Sequence, residues 1–317
     1  MKEAKIQTRQ TTPPAAPTLL FILSFFLPFS LLLRYISFFF LLLLSHTQSV
    51  TLVLWYLRSM ANSSSNGARG IAAIVGVGPR LGRSMAHKFA RHGYTVAILA
   101  RDLGRLSRLA EEITREEKAE QVFAIRIDCS DAKSVRDAFE GVHSLGFVEV
   151  LIYNAYQPPK SSLNATRFQD IRLDSFQKSL AVSSLGAFLC AQQVVPGMVE
   201  RGRGTIVFTG CSASVNGVAG FSELCCGKFA LRGLSQCLAR EFQPKGVHVA
   251  HIIIDGVVGH AREEETTSSW ERTSGSSGDC KDMDPDAVAE TYWQLHVQDR
   301  SAWTQEMDLR SFTSTSL

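Results

Sequence analysis

Three glycines that precede a helical pattern are the first candidates for chemistry. Gly76, Gly78 and Gly82 follow the apolar run Ile71–Val75, which is typical of a buried parallel strand. Glycine permits a tight turn and lets the backbone approach a ligand closely. The amides at the start of the following helix, together with the positive end of its dipole, favour an anion. This spacing predicts a turn that binds the pyrophosphate of a nucleotide, with Arg80 adding positive charge beside it.

A basic residue follows the next predicted strand, Thr95–Ala100, at the distance typical of a strand–helix–strand unit. Enzymes that use NAD usually place a carboxylate here, where it binds the ribose 2′-hydroxyl. This chain instead has Arg101, and a guanidinium suits a 2′-phosphate. We therefore expect NADP(H) as the cofactor and regard NAD as the weaker alternative. An ordinary solvated arginine at a strand end is the competing interpretation.

Apolar runs and helical patterns alternate along the chain from residue 70 onward. Strands are predicted at Ile71–Val75, Thr95–Ala100, 121–127, Val148–Tyr153, 204–209 and 248–254, with an edge strand within 301–309. Helices are predicted over 82–92, around 106–113 and 135–142, and over Leu173–Glu200, 221–242 and 284–296. This alternation implies one α/β domain with a doubly wound parallel sheet, whose ligand binds at the carboxyl ends of the strands.

The first 59 residues differ in composition from the predicted domain, which spans residues 70–312 after a linker at 60–69. Residues 18–44 are almost wholly apolar and long enough to cross a hydrocarbon core of ~30 Å. A second apolar patch at 50–57 extends the region, so membrane association through residues 18–57 is one expectation. An equally weighted alternative is a leader that is not native, with Met60 as the natural start.

Composition excludes several classes of protein. The net charge of +3 is too small to indicate a nucleic-acid partner. The seven cysteines lack the C-x-x-C spacing of metal sites, which predicts reduced thiols and no metal. We therefore expect a domain that faces the cytosol, anchored to a membrane only if residues 1–59 are native. A segment rich in Ser, Glu and Thr at 261–282 predicts a mobile linker.

The motifs between about residues 70 and 309 together resemble those of the short-chain dehydrogenase/reductase family. The glycine turn is similar to that family's cofactor turn, with Arg80 where a middle glycine is usual. Asp128 and Asn154 match the family's adenine-contacting aspartate and the second asparagine of its Asn-Asn-Ala-Gly turn. The resemblance implies a Rossmann-type fold with a cofactor site. That site comprises Gly76, Gly78, Arg80, Leu81, Gly82, Arg101, Asp128, Cys129, Asn154, Ala155, Lys228 and Gly256.

The same family performs its chemistry with an asparagine, a serine, a tyrosine and a lysine, which this chain retains only in part. The resemblance places the lysine at Lys228, where the family uses it to hold the ribose and to assist the tyrosine. The serine position is Cys211 with Ser212 beside it, and the asparagine position is Ser183. The tyrosine position, four residues before the lysine, is Leu224. The implied catalytic candidates are therefore Lys228, Cys211, Ser212 and Ser183.

The absence of that tyrosine leaves three interpretations open. Hydride transfer to a carbonyl leaves an alkoxide that needs a proton, and a positioned acid contributes about 10²–10⁴-fold in rate. A reductase would then take its proton from Ser212, Ser214, Tyr153, Tyr156 or water. Alternatively, the domain binds NADP(H) without chemistry, as a sensor or as a subunit of a hetero-oligomer. The third interpretation, a scaffold with a vestigial site, is disfavoured by the retained cofactor motifs.

The family resemblance also implies a partner and an assembly state. A short-chain dehydrogenase acts on a small molecule, here a carbonyl or alcohol whose identity the sequence does not specify. The same resemblance implies a homo-oligomer formed through the helices predicted at Leu173–Glu200 and 221–242.

Overall fold

The structure is a computed structural model that describes residues 70–117, 121–158, 166–259 and 282–312. The predictions for the apolar segment 1–59 and for the linker 60–69 lie outside these ranges. The predicted linker 261–282 also lies outside them, except for Asp282, which belongs to a short strand.

A seven-stranded sheet forms the centre of the domain, in the order β3-β2-β1-β4-β5-β6-β9 with every neighbouring pair parallel. Its strands are β1 (Ile71–Val75), β2 (Thr95–Ala100), β3 (Val122–Arg126), β4 (Val148–Tyr153), β5 (Gly204–Cys211), β6 (Val247–Asp255) and β9 (Glu306–Arg310). The strand order reverses direction between β1 and β4. In such sheets the ligand lies at this reversal, beyond the carboxyl ends of the strands. The predicted doubly wound α/β fold is confirmed.

Helices cover both faces of the sheet. They are α1 (Leu81–Arg91), α2 (Leu103–Glu117), α3 (Ala132–Leu145), α4 (Leu173–Leu180), α5 (Gly186–Glu200), α6 (Ser222–Phe242) and α7 (Pro285–His296). One hydrophobic cluster joins the sheet to α3, α5 and α6, and a second joins it to α1, α2 and α7. Strand β1 serves both clusters, because alternate side chains of a strand point to opposite faces. Its residues 71, 73 and 75 belong to the first cluster, and 72 and 74 to the second.

The apolar segment Leu173–Glu200 departs from its prediction as one continuous helix. A π-helical turn at Ala181–Leu185 separates α4 from α5. Such turns insert one residue into the helix and often lie at functional sites. The segment is long and apolar enough to cross a membrane, but half of its apolar window is buried within the domain. It is therefore built as a core helix of the fold.

A small parallel ribbon was not predicted. Strand β7 (Val257–Val258) pairs with β8 (Asp282–Met283) just beyond the end of β6. The ribbon places Val257 and Val258 at the edge of the cleft described below.

Candidate active site

A cleft of about 910 Å³ opens at the carboxyl ends of the central strands, where β1 and β4 diverge. Its volume lies within the range of small-molecule and cofactor sites, about 300–1,000 Å³. Every residue predicted to bind the cofactor lines this cleft. Of the four predicted catalytic residues, Lys228 and Cys211 line it, whereas Ser183 and Ser212 do not.

The glycines of the turn have different structural roles. Gly76 has φ +85°, and a Cβ there would lie 2.4 Å from the backbone nitrogen of Ala155. A Cβ at Gly82 would lie 2.7 Å from Val77 Cα, so this glycine lets α1 pack against the turn. No described atom lies within 4 Å of a Cβ built at Gly78. Packing therefore requires Gly76 and Gly82, and Gly78 leaves open space at the wall of the cleft.

Arg80 immediately precedes α1, with its side chain exposed at the cleft. Its Nη1 donates a hydrogen bond of 2.9 Å to the carbonyl of Val258, on the far side of the cleft. The sequence predicted only positive charge beside the glycine turn. The observed bond additionally connects that turn to the β7–β8 ribbon.

Two arginines that follow β2, Arg101 directly after the strand and Arg105 in the first turn of α2, line the same cleft. Arg101 is exposed directly after the strand, as predicted from its position. Arg105 was not predicted; its Nη2 donates a 3.0 Å hydrogen bond to the carbonyl of Val77 in the glycine turn. The signal available in the sequence was its place in the first turn of the helix that follows β2, close to the carboxyl end of that strand.

Strand β3 ends near the region where an adenine would lie. Asp128 Oδ1 accepts hydrogen bonds from the backbone amide of Ser130 at 2.9 Å and from its hydroxyl at 2.6 Å. The hydroxyl bond is the main reason that the pKa of the Asp128 carboxyl lies below its ordinary value. Asp128 is therefore held as a fixed, ionised acceptor. Cys129 is buried beside it at the cleft wall.

The loop after β4 is bonded to the glycine turn. Asn154 donates from its backbone amide to Val75 at 2.8 Å and from its side chain to the Gly76 carbonyl at 3.1 Å. Tyr153 does not line the cleft, and its hydroxyl donates to the carbonyl of Val182. Its side chain is fully buried, and burial raises the pKa of the phenol well above its ordinary value. Tyr153 therefore does not supply protons to the cleft.

Lys228 on α6 lines the end of the cleft next to Thr209 and Cys211 on β5. Its side chain is buried, and Nζ donates a 2.7 Å hydrogen bond to the carbonyl of Thr209 on β5. Burial lowers the pKa of this ammonium, and the nearby Cys211 opposes that shift. Among the described residues, no carboxylate forms an ion pair with Lys228. A buried cation at a cleft wall without a countercharge is a candidate ligand-binding group.

Comparison with known proteins decides the family. The family model described as short chain dehydrogenase matches residues 70–269. The chain belongs to the short-chain dehydrogenase family. Members of this family use NAD or NADP, and in this chain the turn of Gly76, Gly78 and Gly82 lines one cleft together with Lys228.

Known relatives of this short-chain dehydrogenase differ in their named substrates. Sorbitol-6-phosphate 2-dehydrogenase of Escherichia coli K12 is 27% identical over 190 residues, which are 59% of this chain and 71% of that protein. The 3-dehydrosphinganine reductase of Danio rerio is 28% identical over 222 residues, 67% of this chain and 65% of that protein. A solved short-chain dehydrogenase from Rhodopseudomonas palustris has 30% identity and a TM-score of 0.64, covering 77% of this chain and 99% of that one.

Three residues occupy the positions that the resemblance assigned to the family's tyrosine, asparagine and serine region. Leu224 lines the cleft one helical turn before Lys228. Ser183 is fully buried in the π-helical turn, and its hydroxyl has no hydrogen-bond partner among the described residues. Ser212 begins a short 3-10 turn after β5 and does not line the cleft. Neither serine is positioned to contact a substrate held in the cleft.

Cys211 and Tyr156 are the remaining groups of interest at this end of the cleft. The Cys211 sulfur accepts a hydrogen bond from the Ser214 amide, and the Ser214 hydroxyl accepts one from the Cys211 amide. Ser214 itself is buried. Tyr156 is half exposed, and Lys228 Nζ lies 5.5 Å from the centre of its ring. The fold thus brings a phenol from the loop after β4 close to the lysine on α6.

Proposed function

We propose that this protein is an NADP(H)-dependent oxidoreductase that interconverts a carbonyl and an alcohol on a small molecule. The observation that carries the proposal is the pairing, within one cleft, of the open glycine turn with the buried Lys228. Bound NADPH would supply the hydride. The turn would hold its pyrophosphate, and Lys228 would bind the ribose near the reacting end.

The preference for NADP(H) over NAD(H) is supported by positive charge just after β2 and in the first turn of α2. Arg101 and Arg105 both line the cleft where the adenosine ribose would lie. Guanidinium groups bind phosphate through short, charge-assisted hydrogen bonds, whereas a 2′-hydroxyl gains little from them. Two arginines at this point favour the phosphorylated dinucleotide.

Turnover by the full chain tests the proposal. NADPH oxidation would be followed with a panel of small aldehydes and ketones, and we expect saturable consumption with at least one class of carbonyl. Lys228→Met is the matched variant, because it keeps the length and volume of the side chain but removes the charge. We expect it to reduce turnover, and unchanged turnover in this variant would contradict our placement of the active site.

The alternative function is an NADP(H)-binding module without catalysis, acting as a sensor or as a hetero-oligomer subunit. Leu224 favours it, because leucine cannot donate a proton at the family's acid position. The variant Leu224→Tyr separates the two functions. A native protein that binds NADPH without turnover, together with an active Leu224→Tyr variant, would support the binding module.

We also propose that the protein forms a homo-oligomer through the face built from α5 and α6. Phe188 and Phe229 expose large apolar surfaces on these helices. Light scattering on Phe229→Glu would test this, with Val297→Glu at the end of α7 as an exposed apolar control. We expect only the first variant to shift towards the monomer, and equal behaviour of the two would refute this face.

A further inference from the structure

We infer that Tyr156 is the general acid of this site and replaces the tyrosine that Leu224 displaces. The inference rests on the proposed function, since it assigns the source of the proton in that reaction. Three observations support it. Tyr156 lines the cleft, it contacts Lys228, and the other polar groups nearby already form hydrogen bonds within the protein.

The other polar groups at this end of the cleft already form hydrogen bonds with the protein itself. The Asn154 side-chain amide donates to the Gly76 carbonyl. Lys228 donates to the Thr209 carbonyl, which aims its ammonium at the strand. The Cys211 sulfur accepts from the Ser214 amide, and a thiol is in any case a weak donor. Among the described residues that line this end, Tyr156 offers a neutral O–H donor on a half-exposed side chain.

The position of Lys228 explains how the phenol would function as an acid. Its Nζ lies 5.5 Å from the centre of the Tyr156 ring, within the usual distance for a cation over an aromatic face. When Tyr156 gives up its proton, the phenolate would be stabilised by this adjacent charge in a partly desolvated cleft. The family places its lysine and tyrosine one helical turn apart. Here α6 supplies the lysine, and the loop after β4 supplies the tyrosine.

The proton balance of the step is simple. After hydride reaches the carbonyl carbon, the carbonyl oxygen carries a negative charge. The Tyr156 O–H bond breaks, its proton moves to that oxygen, and the products are an alcohol and a phenolate. Water then restores the proton, because half of the Tyr156 side chain is exposed. In the direction of alcohol oxidation, the phenolate accepts the hydroxyl proton instead.

The test compares four variants of the full chain. Tyr156→Phe removes only the hydroxyl, and Leu224→Tyr supplies one at the family position. The double variant Tyr156→Phe/Leu224→Tyr combines them. Tyr94→Phe is the control, because it removes the same atom just before β2 and outside the cleft lining, where the hydroxyl pairs with His296.

We expect Tyr156→Phe to bind NADPH like the native protein but to lose about 10²–10⁴-fold in kcat. Tyr94→Phe should retain activity, and the double variant should recover part of what Tyr156→Phe loses. Undiminished kcat in Tyr156→Phe would overturn the inference and leave the proposed function standing. A native protein that binds NADPH without turning over any carbonyl would overturn both.

Chemical modification gives a second measurement that does not depend on turnover. Tetranitromethane nitrates accessible phenols, and peptide mass spectrometry locates the product. We expect nitration at Tyr156, protection of that residue by NADPH, and no nitration at the fully buried Tyr153 and Tyr292. Nitration of Tyr156 that NADPH does not affect would place the phenol away from the bound dinucleotide and overturn the inference.

Discussion

Replacement of Gly78 by alanine is the sharpest perturbation of the glycine turn. A Cβ at this position meets no described atom within 4 Å, and its backbone does not lie in the left-handed region. The free energy of unfolding should therefore stay level or rise by about 0.4–1 kcal/mol, because alanine restricts the unfolded chain. The added methyl group would stand in the open space of the cleft wall, where we propose that the pyrophosphate approaches the backbone.

The expected loss of affinity follows from the bonds that the methyl group would prevent. A hydrogen bond to a charged group contributes about 1.5–3 kcal/mol. Loss of one such bond would weaken NADPH binding by about 10- to 150-fold. Fluorescence titration measures the affinity, and urea unfolding measures the stability of the same sample. Gly104→Ala on α2 is the control, since its Cβ also has space but lies outside the cleft lining.

Gly76→Ala provides the contrasting case. A Cβ there would lie 2.4 Å from a backbone nitrogen, and φ is +85°. Strain and overpacking together should cost about 2–5 kcal/mol of stability.

A Gly78→Ala variant that folds normally and binds NADPH as tightly as the native chain would refute our assignment of the turn as the phosphate site.

Two further predictions concern charge and pH. Arg101→Ala and Arg105→Ala should each weaken NADPH binding by about tenfold relative to NADH, whereas the exposed Arg108→Ala should not. Unchanged discrimination in both would remove the basis for NADP(H) preference. Burial lowers the pKa of His251 from 6.5 to about 4, with Glu306 opposing the shift. Between these values the unfolded chain binds the proton and the native chain does not, so stability should fall as pH drops from about 6.5 to 4. The slope is at most about 1.4 kcal/mol per pH unit for this histidine, and His251→Asn should flatten it in thermal melts.

The sequence predicted the bounds of a strand well where an apolar run marks that strand. Strands β2 and β4 have the predicted bounds, because each is an apolar run that ends at polar residues. The π-helical turn at Ala181–Leu185 was missed, since one inserted residue hardly disturbs a helical pattern of apolar residues. The β7–β8 ribbon was missed because two-residue strands have no measurable periodicity.

In the candidate site, too, the sequence predicted the positions that local motifs determine and missed the contacts between residues far apart in the chain. The positions of Gly76 and Arg101 in the cleft follow from local motifs in the sequence. The bond from Arg80 to Val258 and the contact of Tyr156 with Lys228 join residues far apart in the chain. Spacing cannot indicate such contacts, because they depend on how strands and helices pack. Tyr156 was therefore only one of several proton donors until the fold separated it from Tyr153.

Direct titration of the full chain with NADPH and with NADH tests whether the cleft between the glycine turn and Lys228 binds a phosphorylated dinucleotide. We predict saturable binding at one site per chain, with NADPH bound more tightly than NADH. Absence of saturable NADPH binding, or tighter binding of NADH, would contradict this assignment of the cleft.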